Sequence, residues 1–460
     1  MIRWVARLVA AARKRYGGGM LLAGLAVAIV ATVRLGPILI APFPLGDGGL
    51  FATMADDIRA AGFGLPATTS YNGGGIPFAY PPLGLYVLAA VPGDPISTER
   101  WLPLVWSLAA VVAAWSLARE LSDAHTAGVA AVVFAAMPIT WAIEGGGVTR
   151  GLGFLLLLVT VWSAAVTTRR PTVPLTATTG ILASLALLAH PAVGPALVAL
   201  GTLLLARRWS RRAAIAMTGA VGIALLGIAP WLWLVLSRHG PEPLLTAASS
   251  HAQAPALVRL LAHGPSWLGP LDITLAAALV GLAIAIRVRQ WFLPAWIIVL
   301  LVVPSGEGRY SALAWAMLAA TGALAVEPPL RAVRAVRAAA TLALSALVLA
   351  SMLAGFQRFR AIPTEVRLGM IEVSRTTPEA AAFAVQTGAY DDGLIEWFPV
   401  LAKRVSIGTY MGLEWTSADR WEEALRLNGE IQRGEIPASA DYLFRVSDGV
   451  VSIEQRGARQ

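Results

Sequence analysis

The residues that could do chemistry in this sequence begin with Asp47, which follows the first long apolar segment. Asp47 stands just before a stretch, Gly49–Ala61, whose spacing of apolar residues predicts an amphipathic helix. A carboxylate near the N-terminus of a helix is stabilised by the helix dipole. Asp47 is therefore either a simple helix cap or a catalytic carboxylate.

Three arginines stand near the predicted outer ends of apolar helices and are candidates for a functional contact. They are Arg34, Arg150 and Arg309. Arg34 and Arg309 have an alternative role, because a basic side chain at the end of a membrane helix commonly reaches the lipid headgroups. Arg150 follows Gly145–Gly147, and glycines let the backbone approach a ligand closely. We therefore favour a substrate contact for Arg150.

Glu144 and His190 are the other ionisable candidates. Glu144 ends the third predicted apolar helix and is either a second acid, a metal ligand or a carboxylate satisfied at the membrane interface. His190 precedes Pro191 at a predicted turn between two apolar helices. An ionisable residue at such a depth is a functional candidate, and a hydrogen-bonded structural histidine is the alternative. In the tail, Glu396-Trp397 and Glu414-Trp415 are predicted as core and turn residues, with sugar stacking by the tryptophans as the alternative.

The composition determines which elements must position these residues. Hydrophobic residues make up 57% of the 460 residues and charged residues only 14%, against about 25% charged in a typical soluble domain. Most of the chain must therefore lie in lipid, which predicts an α-helical polytopic membrane protein. The net charge of +9 is not accompanied by a basic stretch interleaved with aromatics, so nucleic acid is not expected as a partner. The absence of cysteine excludes disulfides and zinc–thiolate sites.

About eleven apolar segments are predicted to span the membrane. They are residues 20–43, 102–118, 125–143, 151–167, 175–189, 192–206, 213–236, 271–286, 291–304, 310–326 and 338–355. Residues 81–92 are too short to span and are predicted as a helix that lies at the membrane interface.

The arginines give this layout an orientation, because basic residues collect in cytoplasmic loops. Clusters around Arg119, Arg169, Arg207, Arg287 and Arg331 fall in alternate connections, on the side of the N-terminus. The other connections, which include the large first outer loop at about 44–101, then lie outside the cytoplasm, as does the C-terminus. An Arg-rich and Lys-poor composition is typical of a bacterium with a GC-rich genome, so we expect a bacterial inner membrane.

The chain divides into a transmembrane domain, residues 1–355, and a small soluble extracytoplasmic α/β domain, residues 356–460, where the composition becomes more polar. In the second domain, residues 377–385 and 417–428 show helical periodicity. Three short segments, 404–410, 441–447 and 449–453, have the alternation typical of strands.

The first outer loop resembles that of the GT-C superfamily of membrane glycosyltransferases, and in particular the protein O-mannosyltransferase and lipid A aminoarabinose transferase group. In that group an Asp-Glu pair follows the first helix, and an interfacial helix, a Gly-containing turn and a Lys-Pro-Pro-Leu-like motif come next. The matching segments are Asp47, the helix from Gly49, Tyr71-Asn72-Gly73 and Pro81-Pro82-Leu83. Arg34 and the pair Arg309-Tyr310 resemble an Arg of the family's first helix and an Arg-Tyr before a late helix.

Three positions depart from the family pattern. Gly48 stands where the second acid of the pair is expected, and Tyr80 stands where the motif has Lys. A second family carboxylate is expected at the position of Arg150, whereas Glu144 lies six residues earlier.

The resemblance implies transfer of a sugar, with inversion, from a polyprenyl-phosphate donor to an extracytoplasmic lipid, glycan or protein acceptor. Asp47 would be the general base, and Glu144 is the second catalytic candidate. The substrate-binding candidates are Arg34, Tyr80, Arg150, His190, Arg309 and Tyr310. A requirement for a divalent cation such as Mg²⁺ or Mn²⁺ is left open.

Two other functions remain open from the sequence. One is a transporter or flippase of lipid-linked saccharides, although the inverted repeats common in transporters are not evident. The other is a non-catalytic GT-C-like protein in cell-envelope assembly, an alternative that the loss of the second acid and of the Lys keeps open.

Overall fold

Apolar helices make up most of the chain. The computed structural model describes residues 18–250, 272–302, 308–325, 361–388, 392–447 and 449–455, and the single residues 346, 350, 353 and 359. Ten of the predicted spans correspond to helices, and the last one, 338–355, falls almost entirely outside the described residues. The ten helices are α1 (Gly18–Ile40), α5 (Leu102–Leu121), α6 (Ala124–Ala136), α7 (Gly147–Arg169), α8 (Val173–Ala189), α9 (Val193–Arg207), α10 (Arg211–His239), α12 (Asp272–Arg287), α13 (Phe292–Val302) and α14 (Ala312–Ala325). The short helix α11 (Glu242–Ser250) follows α10.

Not all of these helices are long enough to cross a bilayer alone. Among the described residues, four stretches have the necessary length and apolarity: Gly19–Ile40, Pro95–Leu121, Gly147–Arg169 and Arg211–His239. A fifth span exists if the bent pair Ala277–Arg287 and Phe292–Val302, which meet at 116°, counts as one. The protein is therefore a multi-pass membrane protein, and the number of eleven spans stays a prediction.

The third predicted span is shorter than expected. Residues 125–143 were predicted as one helix, whereas α6 ends at Ala136 and a 3-10 turn, Pro138–Thr140, follows it. The cause is Pro138, since a proline disfavours helical backbone in the residue before it, and Met137 is extended. The chain then leaves the helix early, and residues 141–146 form an irregular loop.

Small residues let the helices of the membrane domain pack closely. Ala114, Ala118, Ala127, Ala130 and Ala131 are fully buried where α5 and α6 meet their neighbours. Without a hydrophobic driving force between helices in lipid, such close contact is the main source of association.

Residues of four arginine-bearing connections meet at one end of the helices. Glu120 at the end of α5 pairs with Arg169 at 3.0 Å and with Arg208 at 3.2 Å. Arg207 lies over the ring of Phe292, 4.8 Å from its centroid, which brings the α12–α13 turn to the same end. These four connections therefore lie at one end of the helices; the cluster around Arg331 lies outside the described residues, and the side of the membrane that this end faces stays a prediction.

The first outer loop lies at the other end of the helices and is itself folded. Its elements are α2 (Gly49–Ala60), β1 (Thr68–Thr69), a 3-10 turn (Tyr71–Gly73), β2 (Ile76–Pro77), α3 (Leu83–Ala90) and α4 (Pro95–Glu99). The predicted helices at 49–61 and 81–92 correspond to α2 and α3. Asp57 on α2 accepts hydrogen bonds from the hydroxyl of Thr69 at 2.6 Å and from the backbone N–H of Ser70 at 2.9 Å, which ties the β1–β2 ribbon to the helix.

The C-terminal region is an α/β unit that packs on this loop. It contains α15 (Thr364–Thr376), β3 (Ala382–Gln386), α16 (Asp392–Ala402), β4 (Val405–Ser406), α17 (Ala418–Gln432), β5 (Tyr442–Ser447) and β6 (Val450–Gln455). The sheet has the order β4-β3-β5-β6, with β3 parallel to β4 and β5, and β6 antiparallel to β5. The boundary at residue 356 and the extracytoplasmic location stay predictions.

One secondary-structure prediction in this region was wrong. Residues 377–385 were predicted as helix, but Ala382–Gln386 form the central strand β3. This run is buried between β4 and β5, and Phe383 is fully buried. Pairing on both edges outweighs the helical preference of its alanines.

Candidate active site

Asp47 lies against the first turn of α7. That helix begins at Gly147, so Arg150 projects from its N-terminal turn, and one Nη2 atom of Arg150 is 2.8 Å from Oδ1 and 2.6 Å from Oδ2 of Asp47. The backbone N–H of Gly146 also donates to Oδ1 at 3.1 Å. Gly48 occupies the N-cap position of α2, with no side-chain cap. Asp47 is thus not the cap of α2, which was the simpler alternative.

The ion pair extends to a second carboxylate and a second arginine. The same Nη2 of Arg150 is 3.6 Å from Oε1 of Glu144, and Nη2 of Arg309 is 3.9 Å from that oxygen. The side chains remain partly accessible, with exposed fractions of 27% for Asp47, 24% for Arg150, 14% for Glu144 and 13% for Arg309. Four of the residues singled out in the sequence therefore form one alternating row of charges, which we call the charged row.

Tyr80 and His190 form a second contact beside the charged row. The Tyr80 hydroxyl is 2.9 Å from Nδ1 of His190 and donates to the Thr149 hydroxyl at 3.1 Å. Thr149 precedes Arg150 on α7, so the Tyr80–His190 contact lies next to the charged row. The ring of Trp415 packs edge-on against Tyr80 with centroids 5.4 Å apart.

Arg34 lies inside the membrane domain rather than at the surface. Its guanidinium is fully buried and donates to the hydroxyl of Ser107, to the carbonyl of Ala135 at 3.3 Å and to the hydroxyl of Thr140 at 2.7 Å. Arg34 thus holds α1 to α5 and to the turn after α6. Snorkelling, one of its two predicted roles, is not what the structure shows, and its contact with substrate stays a prediction.

Tyr310 is also directed toward the protein core. It is 1% exposed, its ring lies 6.1 Å from that of Phe154, and its carbonyl accepts from the Trp296 indole at 3.1 Å. The preceding residue, Arg309, belongs to the charged row. The two residues of the Arg-Tyr pair therefore lie in different surroundings, Arg309 in the charged row and Tyr310 in the core. A substrate contact for Tyr310 stays a prediction.

Two buried glutamates near Asp47 were not identified as site residues from the sequence. Oε1 of Glu396, on α16, accepts from the backbone N–H groups of Gly48 at 3.2 Å and of Leu50 at 3.0 Å. Glu99, at the end of α4, is fully buried, and neither of its carboxyl oxygens has a hydrogen-bond partner among the described residues. The signal for Glu396 was its place as the only acid within the apolar run of residues 393–402; Glu99 gave no comparable signal.

Position 48 requires glycine, because Glu99 and Glu396 both lie close to the loop backbone there. Its φ of 138° is rarely adopted by residues with a side chain. A Cβ atom at this position would also lie 2.5 Å from Oε2 of Glu99. The second acid of the family pattern is absent at position 48. The carboxyl group of Glu99, from α4, occupies the space that a side chain at this position would need.

Burial raises the pKa of two groups near the backbone of Asp47, the carboxyl group of Glu396 and the hydroxyl of Tyr71. Burial and the charge of Asp47 raise the pKa of Glu396 to about 8, against the opposing effects of its backbone hydrogen bonds and of Arg150. Burial likewise raises the pKa of Tyr71, whose hydroxyl donates to the Glu396 carbonyl at 2.7 Å.

The carboxylates of the charged row are paired with arginines among the described residues. Both oxygens of Asp47 are engaged by Arg150, and Oε1 of Glu144 lies between two arginines. In the part of the chain that the structure describes, no group of three or more His, Asp or Glu side chains is arranged to hold a metal. A cavity of about 700 Å³ lies at the opposite, arginine-rich end, between Leu121, Arg207 and Trp291, and is separate from this site.

Comparison with solved structures identifies the fold. Archaeal oligosaccharyltransferase AglB from Archaeoglobus fulgidus, in complex with an inhibitory peptide and a dolichol-phosphate, matches with a TM-score of 0.58 at 12% identity, over 94% of this chain and 70% of that chain. ArnT from Cupriavidus metallidurans, bound to undecaprenyl phosphate, matches with a TM-score of 0.58 at 16% identity, over 88% of each chain. An A. fulgidus oligosaccharyltransferase structure in complex with Zn and sulfate matches with a TM-score of 0.59 at 13% identity, over 92% of this chain and 67% of that chain.

These proteins are members of the GT-C superfamily, so the GT-C fold expected from the first outer loop is confirmed. Neither a family model nor a curated protein sequence matches this chain.

Proposed function

We propose that this chain, which has the GT-C fold, transfers a sugar from a polyprenyl-phosphate donor to a hydroxyl-bearing acceptor outside the cytoplasm, with inversion at the anomeric carbon. The observation that carries the proposal is the charged row, in which Asp47, Arg150, Glu144 and Arg309 meet on the folded first loop. The donor class is supported by the neighbours of the same fold, which bind dolichol-phosphate and undecaprenyl phosphate.

The base assigned here is Asp47. Its carboxylate would accept the proton of the acceptor hydroxyl as that oxygen attacks the anomeric carbon, and the bond from this carbon to the phosphate oxygen would break at the same time. Attack from the face opposite to the leaving group gives inversion. The products are the glycosylated acceptor and the polyprenyl phosphate, and the proton remains on Asp47 until it is released to water.

The arginines would stabilise the leaving phosphate. A guanidinium group binds phosphate through two parallel hydrogen bonds, and such bonds are strongest where water is scarce. Arg150 and Arg309 stand on either side of Glu144, so a phosphate bound there would have both within reach. A phosphate that takes hydrogen bonds from Arg150 would also weaken the hold of Arg150 on Asp47, which would leave the carboxylate able to accept the proton of the acceptor hydroxyl.

The test is transfer by purified protein with a panel of polyprenyl-phosphate sugars, comparing the wild type with Asp47→Asn. Removal of a general base lowers the rate by about 10²- to 10⁴-fold, while binding of undecaprenyl phosphate alone should persist. Asp56→Asn is the matched control, because Asp56 lies on the same loop with 63% of its side chain exposed. It should leave transfer unchanged, and the product anomer, measured by NMR, should be inverted relative to the donor.

Two results would contradict the proposal in different ways. Undiminished transfer by Asp47→Asn would remove Asp47 as the base. No transfer with any donor, together with movement of the lipid-linked saccharide across vesicles, would identify a transporter instead.

A further inference from the structure

Two consecutive residues of α16 hold the backbone on both sides of Asp47. On the C-terminal side, Oε1 of Glu396 accepts the N–H groups of Gly48 and Leu50. On the N-terminal side, the indole N–H of Trp397 donates to the carbonyl of Gly46 at 3.0 Å. These bonds fix the position of the Asp47 backbone, and they come from a region more than 340 residues later in the chain.

The contact between α16 and the loop is too close to be incidental. A Cβ atom at Gly49 would lie 2.7 Å from the backbone carbonyl of Glu396, so the two helices touch backbone to backbone. Trp397 is fully buried and packs edge-on against Phe43, with ring centroids 4.7 Å apart. The Tyr71 hydroxyl donates to the same Glu396 carbonyl, which adds a third attachment from the loop.

The electrostatic setting argues against a role in packing alone. Glu396 is 4% exposed, and the groups that act on it are Asp47 from the loop, Glu99 from α4, Arg150 from α7 and Tyr71 from the 3-10 turn. Two other acids close to a buried carboxyl group oppose its ionisation. An apolar residue would avoid this cost but would leave the first N–H groups of α2 without an acceptor.

We propose that Glu396 is a positioning residue for Asp47, and that with Trp397 it makes the C-terminal region a component of the active site. The role in catalysis rests on the proposed function of Asp47; the positioning itself does not. Glu396 acts through the backbone of residues 46–50 and does not contact substrate.

The first experiment measures transfer kinetics for Glu396→Ala and Glu396→Gln. The alanine variant loses the acceptor for two N–H groups, and we expect kcat to fall about 10- to 100-fold, with the donor KM within about threefold, because small misplacement of a reacting group is costly. The glutamine variant keeps an oxygen in the same place and should stay within about twofold of the wild type at pH 7. Glu422→Ala, at an exposed position of the same region, is the control.

The second experiment measures hydrogen exchange of residues 44–50 by mass spectrometry, which requires no substrate. Faster exchange in Glu396→Ala than in Glu422→Ala, with wild-type exchange in Glu396→Gln, supports the positioning role even if no donor is ever turned over. If Glu396→Ala does not fold, Trp397→Phe tests the attachment on the other side of Asp47, because it removes the donor to Gly46 and keeps an aromatic ring beside Phe43.

Unchanged exchange in residues 44–50 in Glu396→Ala or Trp397→Phe would overturn the inference. An equal loss of kcat in Glu396→Gln and Glu396→Ala, with wild-type exchange in both, would overturn it as well, because the carboxyl group itself would then be needed.

Discussion

At the scale of single residues, the proton on Glu396 links stability to pH. The folded state holds this proton up to a pKa of about 8, whereas an unfolded chain releases it near the ordinary glutamate value of about 4.3. Between these values the folded state binds more protons, so the free energy of unfolding should fall as the pH rises. The stabilisation of the folded state by this proton is fully present below about pH 4 and is lost as the pH rises past about 8.

Glu396→Gln should therefore gain stability over the wild type as the pH rises. We expect the two melting temperatures to be closest near pH 5 and the variant to be higher by several degrees near pH 9, since a shift of this size amounts to a few kcal/mol. The measurement is thermal unfolding in detergent from pH 5 to pH 9. Parallel curves for the two proteins would show that Glu396 does not carry this proton.

The members of the charged row could be predicted one by one, but their pairing could not. Asp47, Glu144, Arg150 and Arg309 stood out because charge is scarce in an apolar chain. That Arg150 binds Asp47 depends on how α7 meets the first loop, which no local pattern contains. For Arg34 the sequence left a substrate contact and snorkelling open, and neither role indicates that the fold surrounds its guanidinium with hydroxyls and carbonyls.

At the scale of elements, Arg59 joins α2 and α3, the two helices of the first loop that were predicted to lie at the membrane interface. From α2 it donates to backbone carbonyls at and beyond the end of α3: Ala89 at 2.8 Å, Val91 at 2.5 Å and Gly93 at 2.6 Å. The last carbonyls of a helix have no partners within it, so these bonds satisfy groups that would otherwise face lipid headgroups or water. These bonds therefore fix α2, the helix that follows Asp47, relative to α3.

Arg59→Lys should loosen this loop although it conserves the charge. A lysine cannot reproduce the planar set of donors, and we expect a loss of about 1–3 kcal/mol in stability, in line with unsatisfied polar groups elsewhere. Thermal unfolding would measure it, with exposed Arg420→Lys as the control. Identical melting temperatures for the two variants would show that the bonds from Arg59 contribute nothing.

Helix positions were predicted well and their ends less well. Long apolar runs identify helices because lipid imposes the same requirement on each of them. The exceptions have local causes: Pro138 ends α6 early, and residues 382–386 become a strand because neighbouring strands lie on both sides. Neither the order of the strands nor the docking of α16 on the loop follows from periodicity.

At the scale of the whole molecule, the arginine clusters predict which side faces the cytoplasm. The fold places the first loop and the C-terminal region together at one end, and Glu120 with its arginines at the other. Because the chain contains no cysteine, single introduced cysteines report sidedness without background.

Ala67→Cys and Asp419→Cys should react with a membrane-impermeant maleimide in spheroplasts, whereas Trp209→Cys should react only after lysis. All three positions are exposed. The reverse pattern would invert the predicted topology, and labelling of Asp419→Cys only after lysis would contradict the joint location of the loop and the C-terminal region.

The hydrogen bonds from Glu396 and Trp397 to the backbone beside Asp47 also set an order of events in biosynthesis. Gly48 and Glu396 are separated by 348 residues, so the first loop leaves the ribosome and reaches its side of the membrane long before its support is made. Until α16 is complete, the N-terminus of α2 has no acceptor from the C-terminal region and the backbone of Asp47 is not held in place. A nascent or truncated chain thus carries the membrane helices without a finished site, and under the proposed function it becomes competent for transfer only when the C-terminal region docks.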